Sequence, residues 1–224
     1  MKIHLASQST MVGVNAISNI KSLGLTEEHL QAAIMEGLHE MRRSSKLHPR
    51  TDPGSRAWGG VICGLRRELL ASDPSWKLSR VKGIELTHNK ELNISIIVMS
   101  GDKDTGLSEG SPKSKNPKGT ATESLVTYNY DLFNPQPTNI TSIVDDTPID
   151  VNVTYILLYF FDHAKKEIRY ELSLPVGMAH TKGKTKVSAW KQRNILPALP
   201  YESNDIVLKE DFNDELVFEV IKKQ

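Results

Sequence analysis

Between Thr181 and Arg193 the chain places Lys182, Lys184, Lys186, Lys191 and Arg193, five cations in thirteen residues, with Trp190 among them and no acid. Cations spaced this way can follow the phosphates of a nucleic acid, and an indole offers a face on which an unpaired base can stack. The segment therefore predicts a surface for an acidic partner, either single-stranded nucleic acid or an acidic protein. Its other possible counterpart is the chain's own acidic end, Glu202, Asp205, Glu210, Asp211, Asp214, Glu215 and Glu219. Two further stretches are basic without an acid: Met41 to Arg50, with Arg42, Arg43, Lys46 and Arg50, and Ser111 to Gly119, with Lys113, Lys115 and Lys118. The net charge of +1 thus hides a basic-then-acidic asymmetry.

Catalytic patterns are weaker. The turn Ser100 to Gly106 holds Asp102, Lys103, Asp104 and Thr105 between two glycines. Its glycines would admit a phosphate, yet the Gly-x-x-x-x-Gly-Lys-Ser/Thr spacing is absent and the two aspartates would repel phosphate without a divalent metal. With Asp145, Asp146 and Asp150 ahead of one strand, and Glu167 and Glu171 on its neighbour, the acids sketch a metal-dependent phosphodiesterase. The Glu-x-Lys that would orient the attacking water is missing there. Glu167 and Glu171 read more simply as the solvated face of a strand.

His29, Glu36 and His39 share one side of a helix, but a zinc ion would need a fourth ligand. His39-Glu40 opens a zinc-protease spacing that Arg43 closes off. Cys63, the only cysteine, falls in an apolar helical pattern and reads as a small buried hydrophobe. No catalytic residue, metal site or cofactor is called for by any of these patterns.

The elements that must position these groups follow from periodicity. Thr26 caps a helix whose first turn carries Glu27 and Glu28 and whose apolar face is Leu30, Ile34, Leu38 and Met41. A second helix, about Ser55 to Ala71, has Gly59, Gly60 and Gly64 inside it, which predicts close packing of another backbone. Trp76 to His88 and Glu91 to Ser100 read as a hairpin turning at Asn89-Lys90. Gly101 to Thr122 is rich in glycine, proline, serine and lysine and predicts a flexible loop. Ala121 to Phe133 fits a helix or a strand. Val151 to Phe161 and Glu167 to Val176 form a strong hairpin, with Tyr155 to Phe161 apolar on both faces and hence central in the sheet. From Gly177 the chain reads as a basic loop, and Ile206 to Leu208 and Leu216 to Ile221 as closing strands.

Helices first and hairpins later predict one α+β domain over residues 1–224, a helical N-terminal third packed on a mostly antiparallel sheet. No stretch is long and apolar enough to span a bilayer, and Met1 to Gly24 lacks signal-peptide features, so the expected setting is cytoplasmic with no membrane partner. The sequons at Asn93, Asn139 and Asn152 then carry no meaning. The function these residues predict is that of a non-catalytic binding or regulatory protein engaging a partner through basic loops. A metal-dependent phosphodiesterase is the alternative.

Overall fold

The computed structural model describes residues 8–134, 152–181 and 183–202. In chain order these are β1 (Ser9–Val12), α1 (Val14–Ser22), α2 (Glu27–Arg42), α3 (Asp52–Ser72), β2 (Trp76–Val81), β3 (Ile84–Asn89), β4 (Ile94–Ser100), α4 (Thr120–Phe133), β5 (Val153–Asp162), β6 (Glu167–Thr181), β7 (Lys184–Ile195) and β8 (Leu199–Pro200). The strands form a single sheet in the order β1-β7-β6-β5-β4-β3-β2, with β8 also paired to β6. The fold is α+β, as the sequence predicts. The sheet is mostly antiparallel, as expected, but mixed rather than purely so, because β1 runs parallel to β7 and β4 parallel to β5. The β4–β5 parallel pair arises because a long crossover, including α4, separates these strands.

Thr26 caps α2 as its sequence requires: its side chain accepts the His29 amide, and the His29 ring accepts the Thr26 amide in return. α2 and α3 then pack as a tight hairpin. A Cβ added to Gly60 would lie 2.8 Å from the Glu36 carbonyl oxygen, and one added to Gly64 would lie 2.8 Å from Ala33 Cα. Two of the three helix glycines therefore serve close backbone packing. Cys63 differs from its expected place: it sits on the exposed side of α3, because the buried stripe is filled by Val61, Ile62 and Leu65.

The first sheet face carries Ile94, Ile96, Val98, Tyr155, Leu157, Tyr159, Tyr170 and Leu172 and packs on α1, α2 and α3. The second face has its own core of Ile97, Met99, Ile156, Leu158, Val187 and Trp190, joined by Val126 of α4. β5 is buried on both faces, which matches its doubly apolar sequence. α4 enters where β5 and β6 part. Its Asn129, fully buried, donates to the carbonyls of Thr154 (2.8 Å) and Pro175 (3.0 Å) and accepts the Thr154 amide (3.0 Å). One side-chain amide thus satisfies backbone groups that the diverging strands leave behind.

Two boundaries differ from periodicity. Trp76 to His88 is a hairpin in itself, turned at Lys82-Gly83, both at positive φ (47° and 82°). The basic stretch after Gly177 is strand: β6 continues to Thr181, turns, and returns as β7. Its lysines alternate with short polar residues, so no apolar alternation marks it. The aspartates 145, 146 and 150 and the two closing strands lie outside the described residues.

Candidate partner-binding surface

The second sheet face is polar where β6 and β7 cross it. Glu171 of β6 and Arg193 of β7 face each other there, each with a fully buried side chain. Arg193 Nη2 donates to Glu171 Oε2 at 2.5 Å and Nε to Oε1 at 3.2 Å. The carboxylate also accepts the Ser173 hydroxyl (3.1 Å) and the Gly106 amide (3.2 Å). The guanidinium's remaining N–H groups donate to the carbonyls of Gly110 (2.8 Å) and Leu107 (3.0 Å). This overturns the reading of Glu171 as part of a solvated strand face. The strand alternates as expected, but segment 101–119 lies over its polar side and closes it off.

That segment, predicted to be a flexible loop, follows a defined path with Arg193 as its central anchor. Gly106 approaches so closely that an added Cβ would stand 2.8 Å from Arg169 Cβ, and its φ of +72° suits glycine alone. The Trp190 indole donates to the Pro112 carbonyl at 2.8 Å. Beyond Pro112 the segment bridges two strands. The Lys115 amide donates to the Ser100 carbonyl at 2.9 Å, the Ser114 amide to the Val187 carbonyl at 3.0 Å, and the Lys118 amide to the Thr185 carbonyl at 2.7 Å. The Val187 amide returns a bond to the buried Ser114 hydroxyl at 3.2 Å.

The six residues singled out in sequence therefore do not form one site. Trp190 is 3 % exposed within the second core and Arg193 is fully buried, so neither presents a stacking or phosphate-binding face. The indole is spent on packing and on Pro112, the guanidinium on Glu171 and two carbonyls. Lys184 and Lys186 stand two apart on one side of β7 and are half-buried. Lys191 lies apart from them, its ammonium 3.5 Å from the centre of the Phe133 ring, and desolvation there pushes its pKa down. Lys182 lies outside the described residues.

Through the Ser114 and Lys118 amides, the segment that carries Lys113, Lys115 and Lys118 is tied to the part of β7 that carries Lys184 and Lys186. Two acid-free stretches, separated by some sixty residues of sequence, thus touch through backbone bonds at the start of β7. Burial lowers the Lys118 pKa. Glu123 of α4 approaches the arm through His180 at 3.5 Å. At the end of β5, His163 Nδ1 lies 2.9 Å from Tyr201 Oη and Arg42 sits over the Tyr201 ring, 5.9 Å from its centre. Desolvation first, and the Lys115 charge second, hold the His163 pKa below its usual value, against the opposing pull of Asp162.

Sequence reasoning missed the Glu171–Arg193 pair. Its signal was present as an outward-facing acid and a basic residue on successive strands, but nothing in the chain announces that a loop will cover them. Asp102 Oδ1 accepts the Asp104 amide at 3.1 Å, a turn-forming bond. Among the described residues, no three His, Cys, Asp or Glu side chains cluster so as to hold a metal ion. No helix among them is long and apolar enough to cross a membrane. No protein-family model matches the chain, and no curated protein and no solved structure matches it.

Proposed function

We propose that the protein is a non-catalytic, cytoplasmic binding or regulatory protein that grips the phosphate backbone of nucleic acid along its basic arm. Support comes from the convergence of Lys113, Lys115 and Lys118 with Lys184 and Lys186, two separate acid-free segments joined through the amides of Ser114 and Lys118. Lysine is a compact charge on a flexible stem, suited to following phosphates without fixed geometry. With Trp190 committed to the core, base stacking drops out of the mechanism. What is left is charge-driven and independent of sequence, so the arm itself should engage both duplex and single strand. Among the described acids that an alternative phosphodiesterase would use, two are already engaged. Glu171 is bound to Arg193, Ser173 and Gly106, and Asp102 to its own turn.

Filter-binding titrations on single-stranded and duplex oligonucleotides across a salt series test this reading. Binding that falls steeply with salt and ignores EDTA supports it. No binding to either oligonucleotide at low salt would overturn it in favour of an acidic protein partner, and EDTA-sensitive cleavage would overturn it in favour of an enzyme.

A further inference from the structure

The loop between α2 and α3 holds Leu47 at 96 % exposure, the highest of any large hydrophobic side chain described. A slack loop would explain such exposure, but this one carries a run of local hydrogen bonds. The Ser45 amide donates to His48 Nδ1 at 3.0 Å, and the Leu47 amide donates to Ser45 Oγ at 3.3 Å. The His48 amide closes on the Ser45 carbonyl at 3.0 Å, and the Asp52 amide on the Pro49 carbonyl at 2.9 Å. At the base, Asp52 Oδ2 accepts both the Ser44 hydroxyl (2.6 Å) and Arg56 Nε (2.7 Å). These two contacts, the hydroxyl first, lower the Asp52 pKa and keep that brace ionised at neutral pH. The tip is therefore built to hold its leucine outward.

Its flanks are cationic. Arg43, Lys46 and Arg50 are exposed around the tip, and no acid lies between Met41 and Arg50. Arg43 meets Glu40 in a surface pair at 3.0 Å with its own side chain 62 % exposed, a contact weak enough to be exchanged for a phosphate. An apolar tip among cations matches a target that is anionic outside and apolar within. A duplex is such a target, since proteins drive single leucines between base steps from the minor groove while cations hold the neighbouring phosphates. A bilayer is the poorer match, because even a whole myristoyl chain anchors only marginally and one leucine is much smaller. Arg42, at the end of α2, also stacks on Tyr201, which reaches His163 and the neighbourhood of Lys115.

We propose that Leu47 is a wedge that enters a duplex base step from the minor groove, with Arg43, Lys46 and Arg50 taking the flanking phosphates. This rests on the reading of the basic arm as a nucleic-acid surface and adds to it a preference for duplex and a bend. The test uses the full chain and a short duplex of about two helical turns, labelled at its ends for energy transfer and titrated against wild type, L47A and K184Q/K186Q. At 96 % exposure Leu47 supports no packing, so L47A should melt as wild type does. The expected result is a rise in transfer when wild type binds, lost in L47A, with duplex affinity about tenfold weaker and the salt slope unchanged. Single-stranded binding should not change. Wild-type binding that responds to K184Q/K186Q but leaves L47A identical in affinity and transfer would overturn the wedge alone. No wild-type binding at all would instead overturn the function it rests on. Weaker binding of L47A to phosphatidylserine vesicles, with the duplex unaffected, would assign the tip to a membrane.

Discussion

Replacing Arg193 by methionine should be among the most damaging single changes the chain can suffer. The substitution keeps most of the stem's volume and removes every donor. Glu171 is then left as a fully buried carboxylate with only the Ser173 hydroxyl and the Gly106 amide, and the carbonyls of Leu107 and Gly110 lose their partners. Breaking a buried ion pair by deleting one partner costs about 3–5 kcal/mol. Against a total stability of about 5–15 kcal/mol that is a large share. For a chain of this size, with a shift of about 2–4 °C per kcal/mol, the melting temperature should fall by about 6–20 °C. The loss should be local as well as global, since the pair anchors segment 101–119. Trypsin should cut the variant at Lys113, Lys115 or Lys118 under conditions where wild type resists. The double variant R193M/E171L should regain part of the loss, because no buried charge is left unpaired. An unfolding free energy from urea titration within about 1 kcal/mol of wild type and an unchanged tryptic pattern would refute the assignment of Arg193 as the anchor.

Four further outcomes follow from the same geometry. G106A should lose about 1–3 kcal/mol in a thermal melt, because alanine is strained at a φ of +72° and its Cβ would crowd Arg169. N129A should cost about 1–3 kcal/mol by orphaning backbone groups of Thr154 and Pro175, and should speed amide exchange at Thr154. L157A, on the doubly buried central strand, should cost about 2–5 kcal/mol, and a melt identical to wild type would move that strand to the surface. His163 should titrate below about 6.5 by NMR. Its folded pKa is depressed, so its contribution to stability is present above its unfolded pKa and is lost as the pH falls from there through the folded pKa. K115Q should bring its titration back upward.

Much of the fold is legible in the sequence where apolar periodicity dictates burial. Thr26 and the Leu30–Met41 stripe announce α2, and the doubly apolar run Tyr155 to Phe161 announces a central strand. The helix glycines at 60 and 64 also announce the packing they serve. Legibility fails where polar groups provide the cohesion. Segment 101–119 has too few apolar residues to fold by burial, so its composition speaks for a flexible loop. Its path is set instead by a guanidinium some eighty residues later, and its glycines are points of close approach. For the same reason Arg193 and Trp190 read as partner-binding groups. A cation and an indole in a lysine-rich run look the same in sequence whether they face solvent or pin a loop. The extension of β6 and β7 escaped notice because an arm that is half-exposed has no need of alternating hydrophobics.

The central claim, that two lysine segments form one phosphate-binding surface, meets its most direct test in the salt dependence of duplex binding. Each phosphate contact contributes about −0.9 to the slope of log K against log salt. The account predicts that K113Q/K115Q/K118Q and K184Q/K186Q each flatten the slope and weaken binding, and that the combined variant flattens it further than either. A slope that responds to only one of the two segments, or to neither, would contradict it.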